Sequence, residues 1–219
     1  MNEGDVWKAI DAQRLTTADL LERLTDDEWR HPSLCDGWSV RDVAAHLTLQ
    51  QTGLWTALGM SVRSPGGMKR MIHDSACRRA GIPTEQMIAE IRGMVGSRKH
   101  NIGVTYRETL IDILVHGQDI ALPLGRPLSM PPHAAAVAAS RVWSIAFPFC
   151  GYPFFPRKKL KGVRLMASDT EWNAGQGPGV HGPIGAILLL LTGRLAALSR
   201  LSGDGVPTLR ARLTRLPAP

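Results

Sequence analysis

Residues 32–47 read Pro32-Ser33-Leu34-Cys35-Asp36-Gly37-Trp38-Ser39-Val40-Arg41-Asp42-Val43-Ala44-Ala45-His46-Leu47, and the order of residue types in this stretch decides the fold class. Pro32 and the Asp36-Gly37 pair punctuate a loop. Ser39 then caps a helix, and Asp42 three residues on completes a capping-box-like pair. Beyond the cap, Val40, Val43, Ala44, Leu47 and Leu54 recur at helical spacing. His46 stands mid-helix among Ala44, Ala45 and Leu47, on a segment expected to pack inward.

The same grammar extends in both directions. Upstream, Val6, Ile10, Leu15, Leu20, Leu21 and Leu24 form a stripe that predicts an amphipathic helix over 6–24, followed by a loop over 25–37. Downstream, Ser64-Pro65-Gly66-Gly67 breaks the chain, a weaker helix covers 68–79, and Thr84 is expected to cap another that ends near Val95. Thr105 and Glu108 make a capping box for a helix to about Leu122, with Gly125 placed to stop it. Pro131 and Pro132 suit a helix start, and the alanine-rich run 133–146 has high helix propensity.

After a Pro/aromatic crossover at 147–156 the pattern changes. Residues 162–167 alternate like a strand, 175–182 form a glycine-rich loop, 183–201 a very apolar helix and 206–213 a final strand. The expected architecture is mainly α, a helical bundle over 1–148 followed by a small α/β unit over 149–219. Charge divides along the same line. The net charge of +7 lies entirely in residues 150–219, which hold 10 Lys+Arg against 3 Asp+Glu.

Composition excludes several classes. Met1 to Ile10 carries Glu3 and Asp5 and no apolar run, so no secretory leader is expected, and the greasy run 184–192 is too short to span a bilayer. A soluble, cytoplasmic protein is the expectation. Cys35, Cys77 and Cys150 lie far apart, which argues against a disulfide framework or a thiolate knuckle and predicts free, buried thiols. The basic run Arg157-Lys158-Lys159-Leu160-Lys161 invites nucleic acid, but no nucleic-acid motif is present and aromatic residues make up just 5% of the chain. No nucleic-acid partner is expected.

Asp112 and His116, four residues apart on one predicted helix, project from the same face. With His46 from another helix they make two imidazoles and one carboxylate, a donor set that helical bundles use to hold metals. Three protein ligands leave a position open, which is the catalytic arrangement. The plain reading is that each histidine is an ordinary core residue. The same donor set also suits non-haem iron.

The run 32–47, the block Asp112-Ile113-Leu114-Val115-His116-Gly117-Gln118-Asp119-Ile120-Ala121, and the segments Gly177-Pro178-Gly179-Val180-His181-Gly182-Pro183, Leu191-Thr192-Gly193-Arg194 and Gly203-Asp204-Gly205-Val206 together resemble the mycothiol-dependent maleylpyruvate isomerase family. These proteins belong to the DinB-like superfamily of metal-binding four-helix bundles. The resemblance implies a divalent metal, zinc above all, held by His46, Asp112 and His116, with mycothiol as thiol cosubstrate. It also implies an isomerase or S-transferase acting on a small anionic or electrophilic substrate. The family pattern usually has Glu where this chain has Asp112, a loss of about 1.5 Å of reach. Asp119 is placed either to orient a ligand imidazole or as a simple helix residue. Arg194 is the candidate catalytic residue for gripping a substrate carboxylate, with a salt bridge or a snorkelling arginine as the plain alternative. Trp38 and Trp55 line the pocket or pack in the core. A non-catalytic metal-binding or stress-response protein is the rival to the enzyme.

Overall fold

A computed structural model describes residues 1–51, 68–101, 103–145 and 160–214. Leu54, Trp55, Cys150, Arg157, Lys158, Lys159 and the expected breaks at 64–67 and 147–156 lie outside the described residues. The chain divides into two compact units, Met1–Met130 and Pro131–Pro219. The first unit therefore ends before the junction expected at 148/149.

The described secondary-structure elements of the first unit are helices joined by turns. Helix α1 (Glu3–Glu22) starts at a capping box between Asn2 and Asp5, and buries Val6, Ile10, Leu20 and Leu21. Leu15, read as part of that stripe, is instead 42% exposed, while the polar Gln13, Arg14 and Thr17 are buried. The expected loop over 25–37 contains a short helix α2 (Asp26–Arg30), because Thr25 and Glu28 form a capping box of their own. Helix α3 (Val40–Leu47) begins at the anticipated Ser39/Asp42 box. Helix α4 (Met68–Arg79) follows, then α5 (Thr84–Gly93). Thr84 is the first residue inside α5 and not its cap. Pro83 holds the cap position and has no side-chain acceptor to offer.

Helix α6 (Tyr106–Ala121) is the centre of this unit. It starts at the Thr105/Glu108 box, and every residue from Glu108 to Ala121 is buried. A helix surrounded on all sides has no solvent face to which polar residues can be assigned. Its packing partners are α1 and α3, and α1 also packs on α5. Gly117 makes the close approach possible, since a Cβ there would lie 2.9 Å from a Leu128 methyl and 3.3 Å from Thr17 Oγ1 on α1. Helices α1, α3, α5 and α6 form the expected four-helix arrangement, with α4 packed on α3.

In the second unit, helix α7 (Pro132–Ser144) lays Ala134, Ala135, Ala138, Ala139 and Val142 against the aliphatic α8 (Ile184–Leu191). Strands β1 (Arg164–Ala167), β2 (Asn173–Gly175) and β3 (Gly179–Gly182) form a sheet in the order β2-β1-β3, with β1 antiparallel to β2 and parallel to β3. The stretch 175–182, read as a glycine loop, thus carries the end of β2 and all of β3. The single helix expected over 183–201 breaks at Gly193, whose φ of 92° ends α8 in the left-handed region. A 3-10 helix (Leu195–Arg200) follows. The final segment is a helix, α9 (Val206–Thr214), and not a strand. Val206, Leu209 and Leu213 are its buried residues, a spacing of three and four that belongs to a helix. No described helix is long and apolar enough to cross a membrane.

Candidate metal centre

The turn before α3 does more than connect. Ser33 N–H bonds to the Trp38 carbonyl at 2.9 Å, Val40 N–H to the His31 carbonyl at 2.9 Å, and Leu34 N–H to the Asp119 carbonyl on α6 at 3.1 Å. These bonds fold 32–39 back on itself and dock it on the last turn of α6. The Ser39 box then sets the phase of α3: Val43, Ala44 and Leu47 are buried and His46 faces α6.

His46, Asp112 and His116 come together in the structure. His46 Nε2 lies 3.3 Å and His116 Nε2 3.5 Å from the same oxygen, Asp112 Oδ1. The two imidazole rings sit edge to face, 4.8 Å apart at 74°. All three donor atoms fall within 4.8 Å of one another. Ligands about 2.0–2.1 Å from a tetrahedral ion are separated by about 3.3 Å, so the observed spacing fits a small divalent cation. Asp112, one methylene shorter than Glu, reaches because it faces both imidazoles from within the closely packed α6. Side-chain exposure falls from 15% at His46 to 9% at His116 and 8% at Asp112, so His46 is the most exposed of the three.

A second layer surrounds these three. His116 Nδ1 is 2.8 Å from Asp119 Oδ2, and Asp119 has no exposed surface. A carboxylate there holds the N–H on Nδ1 and leaves Nε2 free to ligate. The Cys35 thiol donates to the same Asp119 oxygen at 3.1 Å and lies 3.7 Å from His116 Nδ1. Cys35, His116 and Asp119 thereby make a further group whose donor atoms converge. On the other side, Gln50 Nε2 donates to Asp112 Oδ2 at 2.7 Å. Gln50 Oε1 accepts from Arg14 Nε at 3.4 Å and Nη2 at 3.3 Å, and Arg14 Nη1 donates to the Met94 carbonyl at 2.9 Å. Burial pushes the Arg14 guanidinium below its ordinary range, while Asp11 and Asp112 pull it back up.

Cys35, Gln50 and Arg14 were not singled out by sequence. Gln50 carried only a spacing signal, four residues after His46, and lies in the turn that follows the end of α3 at Leu47. Arg14 carried another, a cation between Ile10 and Ala18 on the stripe that packs inward. Cys35 read only as a free thiol, and its contact with Asp119 depends on the docked turn.

The remaining candidates separate clearly. Trp38 is half-buried with its ring 5.4 Å from His46, beside the centre. Glu108 is used up in the Thr105 cap. His31, His73, His100, His133 and His181 are all exposed. His181 sits in β3, its backbone paired with Ser202. Of the thiols expected to be buried, Cys77 is exposed and Cys35 half-buried. Partial desolvation, then Asp42, pushes the Cys77 thiol up, away from nucleophilic character. Arg194 belongs to the second unit, where it precedes the 3-10 helix, is 8% exposed and donates to the Thr192 carbonyl at 2.5 Å. It lies past the end of α8 and not within an apolar helix.

A search of curated proteins gives no match. Two solved structures, a mycothiol-dependent maleylpyruvate isomerase and a histidine-to-alanine mutant of such an enzyme, each superpose with a TM-score of 0.61 over 93% of both chains at 12% identity. At that identity the likeness establishes the fold. Residues 10–100, which include Arg14, Cys35, His46 and Gln50 but stop short of Asp112, match the family model described as the mycothiol maleylpyruvate isomerase N-terminal domain. The N-terminal part of the chain is thus similar to the mycothiol maleylpyruvate isomerase N-terminal domain, and the chain shares its fold with the two mycothiol-dependent maleylpyruvate isomerase structures.

Proposed function

We propose that the chain is an enzyme that uses a divalent metal ion and a low-molecular-weight thiol to isomerise, or transfer sulfur to, a small anionic or electrophilic substrate. The observation that carries this reading is the meeting of His46 Nε2, Asp112 Oδ1 and His116 Nε2 at one buried point. The match of residues 10–100 to the mycothiol maleylpyruvate isomerase N-terminal domain supports mycothiol as the thiol, and two nitrogens with one oxygen support zinc as the ion. An ion held there would favour the thiolate form of a thiol cosubstrate at neutral pH, a nucleophile suited to addition to an activated double bond or to displacement of a leaving group.

The chain's own residues do the rest. His46, Asp112 and His116 hold the ion. Asp119 keeps the His116 ring in the tautomer that points Nε2 inward, and Gln50 keeps Asp112 from turning away. The Trp38 ring beside His46 offers an apolar wall. Arg194 is proposed for the substrate carboxylate, on the chemistry of a guanidinium with little exposure. A cytoplasmic setting goes with this reading, because a reduced thiol pool is maintained there.

The test is thiol conjugation by purified protein with a reduced low-molecular-weight thiol and a chromogenic electrophile, metal-loaded against metal-stripped. Conjugation that needs the metal, and that favours mycothiol over other thiols, supports the enzyme. A metal-loaded protein without conjugation favours a metal-binding protein with no thiol chemistry. Iron as the bound metal points to the oxygen chemistry that this donor set also serves.

A further inference from the structure

We infer that Gln50, backed by the buried guanidinium of Arg14, is the positioning residue that reserves one oxygen of Asp112 for a divalent cation. This rests on the metal-centre reading above and goes beyond it, to why an aspartate serves as the carboxylate ligand in this chain.

The torsion that turns an Asp carboxylate is broad and roughly two-fold, so the side chain alone does not choose which oxygen faces the imidazoles. Here the choice is made. Gln50 Nε2 donates to Oδ2 at 2.7 Å, while Oδ1 faces both histidines at 3.3 and 3.5 Å. The Gln50 amide is held in turn, because its oxygen accepts from two nitrogens of Arg14. A flipped amide would aim its NH2 at a guanidinium, which has no acceptor to offer. Arg14 is itself anchored by the Met94 carbonyl and lies 3.6 Å from Asp11. Its exposure is 0%, so its charge needs anions nearby, and Asp112 is one of them, reached through Gln50. The chain Arg14–Gln50–Asp112 therefore orders the ligand before any ion arrives. It presents a single oxygen and keeps the other satisfied. A carboxylate short of reach gains most from that arrangement, since it has no slack with which to search for the ion.

The test is calorimetric titration of the metal-stripped full chain with Zn²⁺, together with its thermal unfolding. Three proteins are compared: wild type, Gln50→Met, and the double variant Arg14→Met with Gln50→Met. The double variant removes the buried charge along with its partner, which keeps the fold accessible if the single variant fails to fold. The expected result is one site in each folded protein, with affinity lower by about tenfold to a hundredfold in both variants. A structural role alone would lower the unfolding temperature of Gln50→Met and leave Zn²⁺ affinity within about twofold of wild type. That outcome in either variant overturns the inference while leaving the metal centre intact. Wild type that binds no Zn²⁺ overturns the metal centre, and the inference with it.

Discussion

Helices α6 and α8 are both enclosed by protein, yet they are built in opposite ways. Helix α8 is Ile184-Gly185-Ala186-Ile187-Leu188-Leu189-Leu190-Leu191, an apolar rod that buries its leucines on every side. Helix α6 is equally buried but carries Glu108, Asp112, His116, Gln118 and Asp119 among its aliphatic residues. Burying a polar group costs free energy unless it is hydrogen-bonded, and burying a charge costs more. Those groups on α6 accordingly have partners: Thr105, Gln50, the Leu128 carbonyl, and the Asp119/Cys35/His116 cluster. A helix made only for stability looks like α8. Helix α6 instead keeps its polar groups buried with partners from the turns on either side of α3 and from its own flanking segments.

The contrast can be broken most forcefully at the ligand carboxylate. Asp112→Ala leaves two imidazoles without their shared anion and Gln50 with an unused donor, so Zn²⁺ binding measured by calorimetry is expected to vanish. Leu190→Ala in α8 should do the reverse. Removing a fully buried leucine costs about 2–5 kcal/mol by urea unfolding, with metal content per folded chain unchanged. Loss of metal in Leu190→Ala at full folding would dissolve the distinction between the two helices.

A middle-sized effect is expected at Gly117. Gly117→Ala brings a methyl to 2.9 Å from the tip of the Leu128 side chain, which yields, and 3.3 Å from Thr17 Oγ1. Overpacking of this kind costs about 1–3 kcal/mol, read as a lower midpoint in urea. Cys35→Ser should sharpen the picture with a smaller change. Serine keeps a donor toward Asp119, so Zn²⁺ affinity should stay nearer to wild type than in Cys35→Ala, where that donor is lost.

The smallest effect concerns pH. The Arg126 hydrogen bond, helped by the Thr25 backbone, holds the Glu28 carboxyl at about 2, below its ordinary 4.5. A depressed carboxylate contributes stability above its ordinary pKa and loses it as pH falls through the folded value. Arg126→Gln should therefore lower the unfolding midpoint slightly at neutral pH, flatten its dependence on pH between 4.5 and 2, and bring variant and wild type together at the acid end.

Much of this was legible in the sequence, and what was not has physical causes. The boxes at Ser39/Asp42 and Thr105/Glu108 are local, and each put a helix start where the structure has it. The same four-residue signal at Thr25/Glu28 was there to be read inside a supposed loop. Residues 206–213 were misread because β-branched and leucine residues look like strand, although Val206, Leu209 and Leu213 already kept helical spacing. At the site, Asp112 and His116 share a helical face and pair by spacing, and His46 stands out by its place among apolar residues in the middle of a helix. The supporting layer was hidden because its bonds cross 36, 62 and 84 residues of sequence, from Arg14 to Gln50, Gln50 to Asp112 and Cys35 to Asp119. Only the packing of α1 and the docked turn on α6 brings those atoms together.

The claim on which the account depends is that His46, Asp112 and His116 form one ion-holding point. Elemental analysis of purified wild type, His46→Ala and His116→Ala tests it directly. The account predicts about one divalent ion per wild-type chain, held by His46, Asp112 and His116, and none in either variant, each still folded by circular dichroism. Wild type that carries no metal after incubation with Zn²⁺, or variants that retain as much as wild type, would contradict it.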